Sequence, residues 1–249
     1  MILIKSAEEI VLMAQAGRIC AVALDAVEGM IRPGVSTKDI EKFVHAVITD
    51  SGGKPAFLGY RGYPASICAS VNEQVVHGIP SGRKLREGDI ISVDLGVDYK
   101  GYYGDAAMTF AVGEVSEAAR KLMQVTRESL DLGIAQAVAG GRLSDISHAV
   151  QGHVEANGFS VVRSFVGHGI GRSLHEEPQV PNFGPPGKGP RLQKGMALAI
   201  EPMVNAGSWK VRILEDGWTA VTEDGSLSAH FEHTVIVDDG RPVVVTRLG

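Results

Sequence analysis

Residues 90–112 read IISVDLGVDYKGYYGDAAMTFAV, and this stretch predicts the centre of the fold. Its first ten residues alternate in character, which is the pattern of a strand with two different faces. The Lys-Gly pair in its middle forms a predicted turn, and residues 102–112 return as the partner strand. In a hairpin with a loop of two or four residues, positions whose numbers sum to an odd value share a face, so Asp94 and Asp105 point the same way. Two neighbouring carboxylates repel one another unless a cation lies between them.

Helix pairs are predicted on both sides of this hairpin. Ser6 and Glu9 have the spacing of a capping box, and apolar residues continue at helical intervals to about residue 28. Ser36 or Thr37 begins a second helix, which ends at Gly52. The helices after the hairpin repeat this order, with predicted spans from Ser116 toward Gly140 and from Ser144 to Gly158.

The sequence also repeats itself at an offset of 106 residues. A repeat with only two copies favours a pseudo-twofold domain over an array of solenoid units. We therefore expect one α/β (α+β) domain over residues 1–249, with halves at roughly 6–113 and 116–240. The aligned positions are Leu24, Gly34, Asp39, Ile40, Val44, Ile48 and Gly52 with Leu130, Gly140, Asp145, Ile146, Val150, Val154 and Gly158.

Each half carries an acidic residue in its first long strand and another in its second. Asp94 lies 107 residues before Glu201. Asp105 and Glu232 each stand eight residues before a glycine. Chance similarity between two helix pairs explains the apolar repeat but not the recurring acids. Two carboxylates from each half are therefore expected to meet near the pseudo-twofold axis.

One imidazole joins these four carboxylates in the predicted site. His168 lies in the segment GHGIG, whose glycines let a ligand or a second backbone come close. Gathering four carboxylates in a partly dry pocket costs on the order of several kcal/mol, and two divalent cations offset that charge almost completely. Oxygen ligands with one imidazole suit Mn²⁺, Fe²⁺, Co²⁺ or catalytic Zn²⁺, and paired metals suit hydrolysis.

Composition narrows the classes of partner. The 249 residues are 44% apolar and 21% charged, with a net charge of −5. The chain has no run of Lys or Arg and no stretch of about 18 uninterrupted apolar residues, so neither nucleic acid nor a membrane is expected as a partner. Cys20 and Cys68 lie far apart and match no C-x-x-C motif, which favours a reducing, cytoplasmic location.

Seven motifs in order resemble type I methionine aminopeptidase, a family of pita-bread metallopeptidases, over nearly the whole chain. The resemblance implies a pita-bread α/β fold with a central antiparallel sheet flanked by helices. It also implies two divalent metal ions per chain, from among Co, Mn, Fe, Zn and Ni. The motifs are VHG at His77, SVD at Asp94, YGD at Asp105, GHGIG at His168, LHEEP at His175, AIEPM at Glu201 and HFEHT at Glu232.

The resemblance assigns the five acidic and imidazole residues to the metal ions. It implies that Asp94 chelates one ion and that His168 and Glu201 bind the other. Asp105 and Glu232 are expected to bridge both ions.

The resemblance also implies catalytic residues and a substrate pocket. Glu201 would relay the proton of the bridging water, His175 would stabilise the oxyanion or the carbonyl, and His77 would steady the scissile amide nitrogen. Taken alone, either of these two histidines is better explained as a hydrogen-bonded core residue, and the resemblance reverses that preference. The methionine pocket should be apolar and narrow, and its expected residues are Phe57, Tyr60, Tyr63, Cys68, His77, Leu174, His175 and Trp218.

Two pocket positions depart from the commonest bacterial pattern. Phe57 stands where a cysteine is familiar, and Leu174 stands where a phenylalanine is familiar. Tyr60, Tyr63 and Trp218 are also compatible with ordinary core or rim aromatics.

The implied activity is hydrolytic removal of the N-terminal methionine from nascent proteins and peptides when the second residue is small. The implied partners are the N-termini of nascent polypeptides, with transient ribosome contact, no specific nucleic-acid sequence and no membrane. The chain is expected to act as a monomer.

Two alternatives remain open on the sequence. An Xaa-Pro peptidase of the same fold would share the five ligands, although such enzymes usually carry an N-terminal domain, and here the first helix begins near residue 7. A catalytically silent relative that binds protein or RNA would be expected to have lost ligands, and none is lost. The absence of an insertion between the helices and strands of the second half favours type I over type II.

Overall fold

The structure is a computed structural model that describes residues 1–248. Its helices are α1 (Ala7–Glu28), α2 (Thr37–Asp50), α3 (Glu117–Ala135) and α4 (Leu143–Ala156), and a 3₁₀ turn spans Tyr60–Gly62. Its strands are β1 (Lys54–Pro55), β2 (Cys68–Val71), β3 (Gln74–Val76), β4 (Ile90–Tyr99), β5 (Tyr102–Ala111), β6 (Ser160–Val161), β7 (Gly167–Gly169), β8 (Glu176–Val180), β9 (Ala197–Ile200), β10 (Met203–Asn205), β11 (Val211–Ile213), β12 (Ala220–Thr222), β13 (Ser228–His230), β14 (Glu232–Ile236) and β15 (Val243–Val244).

The first three helices begin at the predicted caps. The Ser6 hydroxyl accepts from the backbone N–H of Glu9, whose carboxylate accepts from the N–H of Ser6 at 2.8 Å. Ser36 forms the same reciprocal pair at the start of α2, and Ser116 caps α3. Each cap satisfies backbone donors that the first helical turn leaves free.

The fourth helix begins two residues earlier than predicted, because its N-cap is Arg142 and not Ser144. The Arg142 backbone N–H donates to Asp145 Oδ2 at 2.9 Å. Ser144 lies inside the first turn, where its hydroxyl accepts from the backbone N–H of Lys188. A contact with a distant loop therefore uses the hydroxyl that local sequence assigns to the cap.

The predicted hairpin is confirmed in register as well as in position. β4 and β5 pair along their whole length around a loop of Lys100 and Gly101. Asp94 pairs with Ala107 and Asp105 pairs with Gly96, which places the two aspartates diagonally on one face. Both side chains are buried, which excludes an exposed polar hairpin face.

The register brings the acids of the second half to the same face. β14 lies beside β5, and its Glu232 pairs with Ala107, the residue that also pairs with Asp94. β9 lies on the other edge of β14 and ends one residue before Glu201. His168 of β7 pairs with Ala199, two residues before Glu201. Since side chains alternate along a strand, these residues share one face.

The largest sheet has the strand order β1-β4-β5-β14-β9-β7-β8, and all its pairings are antiparallel. In addition, β2 pairs with β4 and β15 pairs with β14. Two smaller sheets have the orders β13-β10-β6 and β11-β12-β3.

The helices cover the face of the sheet opposite the acids. Helices α1 and α2 pack on the first half, and their shared core includes Leu24, Ile40, Val44, Val93 and Leu95. Helices α3 and α4 pack on the second half, and their shared core includes Leu130, Ile146, Val150, Leu198 and Val235. The face of the sheet that carries the acids is therefore the face that the four helices leave uncovered.

Among the described residues, α1 is the helix that is long and apolar enough to cross a membrane by length and composition. Half of its apolar window is buried within the fold. Its buried residues, including Met13, Cys20 and Leu24, belong to the hydrophobic core, as is typical of a core helix.

Candidate metal centre and substrate pocket

One cavity of about 140 Å³ brings together every residue proposed for the site from the sequence. The cavity also contains Arg61, which the sequence analysis missed. Its lining consists of Phe57, Tyr60, Arg61, Tyr63, Cys68, His77, Asp94, Asp105, His168, Leu174, His175, Glu201, Trp218 and Glu232.

The ionisable groups at the floor of the cavity are close together. His168 Nε2 lies 3.6 Å from Glu201 Oε1 and 3.8 Å from Asp105 Oδ2. Ligand atoms of Asp105, His168 and Glu232 all lie within 4.8 Å of one another. The full-length antiparallel pairing of β4 with β5, and the shorter pairing of β14 with β5, hold the carboxylates in place, because these strands cannot slip without exposing their apolar face.

Burial and mutual repulsion disfavour four negative charges in this space. Burial is the main cause that raises the pKa of Asp94, to about 7. It also raises the pKa of Asp105 and of Glu232, with repulsion from neighbouring carboxylates as the next cause. For Glu201, burial and then the charge of Asp94 raise the pKa. A divalent cation would reverse this preference by attracting the ionised forms.

Unpaired oxygens in the cluster fit such a cation. Buried polar atoms in native proteins almost always have a hydrogen-bond partner. Among the described residues, Asp94 Oδ1, Asp105 Oδ1 and Glu232 Oε1 have none. Carboxylate oxygens with one imidazole nitrogen match the ligand preferences of Mn²⁺, Fe²⁺, Co²⁺ and catalytic Zn²⁺. The donor set therefore fits a divalent metal.

His168 presents a free lone pair to this cluster. Its Nδ1 lies 2.8 Å from the carbonyl oxygen of Gly169, which can only accept, so Nδ1 carries the proton. Nε2 is then the unprotonated nitrogen, and it is the atom that faces Glu201 and Asp105. Burial lowers the pKa of His168 to about 4, which keeps the ring neutral. A backbone contact of this kind orients metal-ligating histidines in general.

The glycines on either side of His168 allow neighbouring strands of the sheet to approach closely. A Cβ atom on Gly167 would collide with the carbonyl oxygen of Ala199, and one on Gly169 would collide with that of Glu177. Of the two possibilities raised by the sequence, a ligand or a second backbone, the structure shows the backbone at both glycines.

His175 lies on the outer side of His168. The centroids of the two rings are 4.1 Å apart. On its other side His175 stacks on Tyr60 at 5.3 Å, and the Tyr60 hydroxyl lies 2.9 Å from His175 Nδ1. Burial, followed by the charge of His168, lowers the pKa of His175 to about 3, so this ring is also neutral.

His77 adopts an uncommon backbone conformation at the cavity wall. Its φ of 60° lies in the left-handed region that few residues other than glycine occupy. Its ring packs edge-on to Phe165 with centroids 5.3 Å apart. Burial lowers the pKa of His77. Such local strain is often found where a side chain must be held in a functional position.

The remaining wall of the cavity is apolar. Phe57, Tyr63, Cys68 and Leu174 are buried, and Trp218 packs edge-on to Tyr63 at 5.1 Å. The Tyr63 hydroxyl is directed at the carbonyl oxygens of Ile67 and Gly78, at 3.1 Å from each. Burial, followed by the charge of Asp94, raises the pKa of the Cys68 thiol, so Cys68 is a small apolar wall residue and not a thiolate nucleophile.

His230 is a second residue whose place at the site was missed. Its Nε2 lies 3.8 Å from Glu201 Oε2 and has no hydrogen-bond partner among the described residues. Burial, followed by the charge of His77, lowers the pKa of His230 to about 3. Its position two residues before Glu232 was a usable signal, because residues two apart on an extended chain face the same side.

Comparisons with known proteins agree with this geometry. The sequence pattern of metallopeptidase family M24 matches residues 11–239. The chain is 52% identical to methionine aminopeptidase of Clostridium perfringens, with 99% of each chain covered. It is 51% identical to methionine aminopeptidase 1 of Bacillus subtilis over the full length of both. The crystal structure of methionine aminopeptidase from Thermotoga maritima superposes with a TM-score of 0.98 at 51% identity, with both chains fully covered.

The Xaa-Pro alternative shares the fold only. The Xaa-Pro dipeptidase of Bacillus anthracis superposes with a TM-score of 0.80 but is 23% identical, and the match covers 62% of that chain. The predicted pita-bread architecture is confirmed by both structural matches. The family pattern matches most of the chain, and the three methionine aminopeptidases are 51–52% identical to it over 99% or more of their length. The chain therefore belongs to metallopeptidase family M24, among its type I methionine aminopeptidases.

Proposed function

We propose that the chain hydrolyses the peptide bond after an N-terminal methionine when the second residue is small, at a centre of two divalent metal ions. The observation that carries this proposal is the meeting of three unpaired carboxylate oxygens, from Asp94, Asp105 and Glu232, with the free Nε2 of His168 beside an apolar slot.

The metal ions would be held by residues from both halves. Asp94 would chelate one ion, His168 and Glu201 would bind the other, and Asp105 and Glu232 would bridge them. The positions of the last two support a bridging role, because they lie on the neighbouring central strands β5 and β14. When bound, divalent metal supplies a Lewis acid for the carbonyl oxygen and lowers the pKa of water enough to make it a nucleophile near neutral pH.

The chain's own side chains would position the substrate and move the proton. Glu201 would accept the proton of the attacking water and return it to the leaving amine. Its carboxylate lies between His168 Nε2, at 3.6 Å, and His230 Nε2, at 3.8 Å, which supports a place for Glu201 at the centre of the cluster. His77, directed by its left-handed backbone, would steady the scissile amide nitrogen.

His175 would stabilise the developing oxyanion. A phenol is a good donor and a neutral imidazole nitrogen is a good acceptor, so we assign the hydrogen bond from the Tyr60 hydroxyl to His175 Nδ1. Nε2 then carries the proton and can donate to the substrate oxygen. His168 and His175 would therefore be neutral rings of opposite tautomers, one a ligand and the other a donor.

The methionine side chain would occupy the apolar wall formed by Phe57, Tyr63, Cys68, Leu174 and Trp218. An unbranched thioether adapts to such an irregular slot and makes favourable contacts with aromatic edges. Beyond the scissile bond, the stacked rings of His175 and Tyr60 would leave little room for a bulky second side chain.

Kinetics on short peptides tests this function. The protein loaded with Mn²⁺ or Co²⁺ should release methionine from Met-Ala-Ser, cleave Met-Leu-Ser poorly and leave Ala-Pro intact. Equal turnover of Met-Ala-Ser and Met-Leu-Ser would contradict the size rule. Cleavage of Ala-Pro alone would restore the Xaa-Pro alternative.

The cellular setting is proposed from the same activity. The chain would act in the cytoplasm, as a monomer, on N-termini of nascent polypeptides during transient contact with the ribosome. Light scattering of the purified protein and co-sedimentation with ribosomes that display a nascent chain would test the last two statements.

A further inference from the structure

Arg61 differs from every other residue of the cavity. Among the described residues that line the cavity, it alone carries a guanidinium group. Its backbone is left-handed, with φ 50° and ψ 23°, in the 3₁₀ turn at Tyr60–Gly62. Hydrogen bonds from Tyr60 N to Phe57 O and from Tyr63 N to Tyr60 O close this turn, at 3.0 and 2.9 Å. The turn holds an exposed arginine at the mouth of the cavity.

The Arg61 side chain has no acidic partner among the described residues. Other cations near the cavity are paired, since Arg172 contacts Glu9 at 3.0 Å and Lys5 contacts Glu176 at 2.6 Å. The contact that the structure gives Arg61 is with the ring of Tyr60, whose centroid lies 5.3 Å from the guanidinium carbon. A cation on an aromatic face keeps its donors available for another acceptor.

A row of planar groups leads from the metal ligand to this guanidinium. The ring of His168 is followed by that of His175 at 4.1 Å, by that of Tyr60 at a further 5.3 Å, and by the guanidinium at another 5.3 Å. The row begins at the buried floor and ends at the exposed mouth. Arg61 therefore stands at the opposite end of this series of contacts from His168, at the exposed part of the cavity.

The spacing along this row suits the second and third residues of a peptide. An extended chain advances about 3.3–3.6 Å per residue. If the scissile carbonyl is at His175, as the proposed function requires, a substrate passes the Tyr60 ring within its next two or three residues. Groups at that distance from the cleaved bond come within reach of the Arg61 guanidinium.

We propose that Arg61 is a specificity-determining residue that binds a carboxylate on the substrate beyond the scissile bond. This inference rests on the proposed function. The carboxylate is either the side chain of an Asp or Glu at the third position or the C-terminus of a short peptide. A guanidinium binds a carboxylate with two parallel hydrogen bonds, and it offsets the repulsion that an acidic substrate meets in a chain with net charge −5.

Four peptides separate the two sources of the carboxylate. Met-Ala-Asp-Ser-amide and Met-Ala-Asn-Ser-amide differ in the third side chain, whereas Met-Ala-Ser and Met-Ala-Ser-amide differ in the terminus. With the Mn²⁺-loaded protein, we expect kcat/KM to favour the acidic member of at least one pair by about threefold to fivefold, the upper part of the range of an exposed ion pair. The preference should reside in KM and weaken with added salt.

Substitutions show whether the preference belongs to Arg61. The Asp to Asn ratio, and likewise the acid to amide ratio, should fall to about one in Arg61→Gln and invert in Arg61→Glu. Arg18→Gln is the matched control, because Arg18 is also exposed, lies on α1 outside the cavity and loses the same charge. Its ratios should equal those of the unchanged protein.

The possible outcomes distinguish a failure of the Arg61 role from a failure of the proposed function. Ratios near one in the unchanged protein, ratios that survive Arg61→Gln, or ratios that fall equally in Arg18→Gln each overturn the role of Arg61 while methionine release continues. If none of the four peptides is cleaved, the proposed function itself is wrong and the inference falls with it.

Discussion

The hydroxyl of Tyr60 lies 2.9 Å from Nδ1 of His175, and this contact gives His175 a different Nδ1 partner from that of the neighbouring His168. His168 uses its own Nδ1 to donate to the Gly169 carbonyl, so its Nε2 is unprotonated. With the Tyr60 hydroxyl assigned as the donor to His175 Nδ1, the proton of His175 lies on Nε2. Under the proposed function, one of these adjacent imidazoles would be a metal ligand and the other a hydrogen-bond donor, and the hydrogen-bond partner of each Nδ1 would decide which role each ring has.

Tyr60→Phe should weaken this arrangement without breaking the metal site. We expect kcat to fall by about tenfold, less than for loss of the imidazole itself, because the Nε2 proton is no longer enforced. Nitrogen chemical shifts of His175 should report a mixture of tautomers in the variant and one tautomer in the unchanged protein. Tyr99→Phe, at the far end of the hairpin, is the control. An unaltered tautomer in Tyr60→Phe would refute the assigned direction of the hydrogen bond.

Substituting the two histidines in turn separates catalysis from metal binding. His175→Ala should leave metal affinity nearly intact while kcat falls by ~10² to 10³, the usual effect of losing one oxyanion donor. His168→Ala should weaken metal binding itself, because its Nε2 is the imidazole atom in the cluster. Calorimetric titration with Mn²⁺ beside steady-state kinetics measures both effects. An equal loss of metal affinity in the two variants would place His175 among the ligands.

Metal should stabilise the fold, and by more at higher pH. Above the ordinary histidine pKa of ~6.5, the histidines are neutral in both the folded and the unfolded chain. Burial raises the pKa of the cavity carboxyls, to about 7 for Asp94, so in this range the folded chain without metal binds more protons than the unfolded chain. Stability from this source is fully present below the ordinary carboxyl pKa and is lost as the pH rises through the raised values. Below about pH 6.5 the lowered pKa values of His168, His175 and His230 oppose this trend, so the melting temperature in chelator should fall between about pH 7 and pH 9.

Added Mn²⁺ or Co²⁺ should restore the melting temperature at pH 8 and change it little at pH 5. A hundredfold excess over Kd contributes roughly 2.7 kcal/mol, which is about 5–10 °C for a chain of this length. Asp94→Asn should flatten the pH dependence in chelator, because one of the raised carboxyls is gone. A melting temperature that is independent of both metal and pH would contradict a cluster of cavity carboxylates that repel one another and bind metal.

The sequence predicted those features that depend on periodicity and repetition. The odd-sum rule placed Asp94 and Asp105 on one face, and the recurring acids located Glu201 and Glu232, because strand alternation and internal symmetry are local or repeated properties. The start of α4 was misplaced because the Ser144 hydroxyl is used by Lys188, 44 residues away. Arg61 escaped notice for a similar reason, since its place at the cavity depends on the packing of Tyr60 against His175.

The tautomers of His168 and His175 cannot be predicted from the sequence. The partner of His175 is 115 residues away in the chain, and nothing in the LHEEP motif indicates it. By contrast, the partner of His168 is the next residue, yet only the geometry shows that the Gly169 carbonyl turns back to Nδ1.

Substitutions at two glycines on neighbouring strands test which face of the sheet borders the cavity and which face borders α1. A Cβ atom on Gly96 would lie 2.7 Å from the Phe57 ring, on the cavity side. A Cβ atom on Gly104 would lie 2.7 Å from the Gly17 backbone nitrogen, on the side of α1. The same added methyl group should therefore disturb substrate binding at one position and stability at the other.

Gly96→Ala should press the Phe57 ring into the proposed methionine slot. We expect KM for Met-Ala-Ser to rise by about tenfold, the effect of one misfitting methyl group in an apolar pocket, with a small change in melting temperature because the ring can move into the cavity. Gly104→Ala meets helix backbone, which cannot move aside, so it should cost about 1–3 kcal/mol of stability while KM stays near its original value. Thermal melts and initial rates on both variants, each loaded with Mn²⁺, measure the two effects. The reverse pattern, with KM raised by Gly104→Ala and stability lost in Gly96→Ala, would show that the cavity does not lie on the Asp94 face of the sheet.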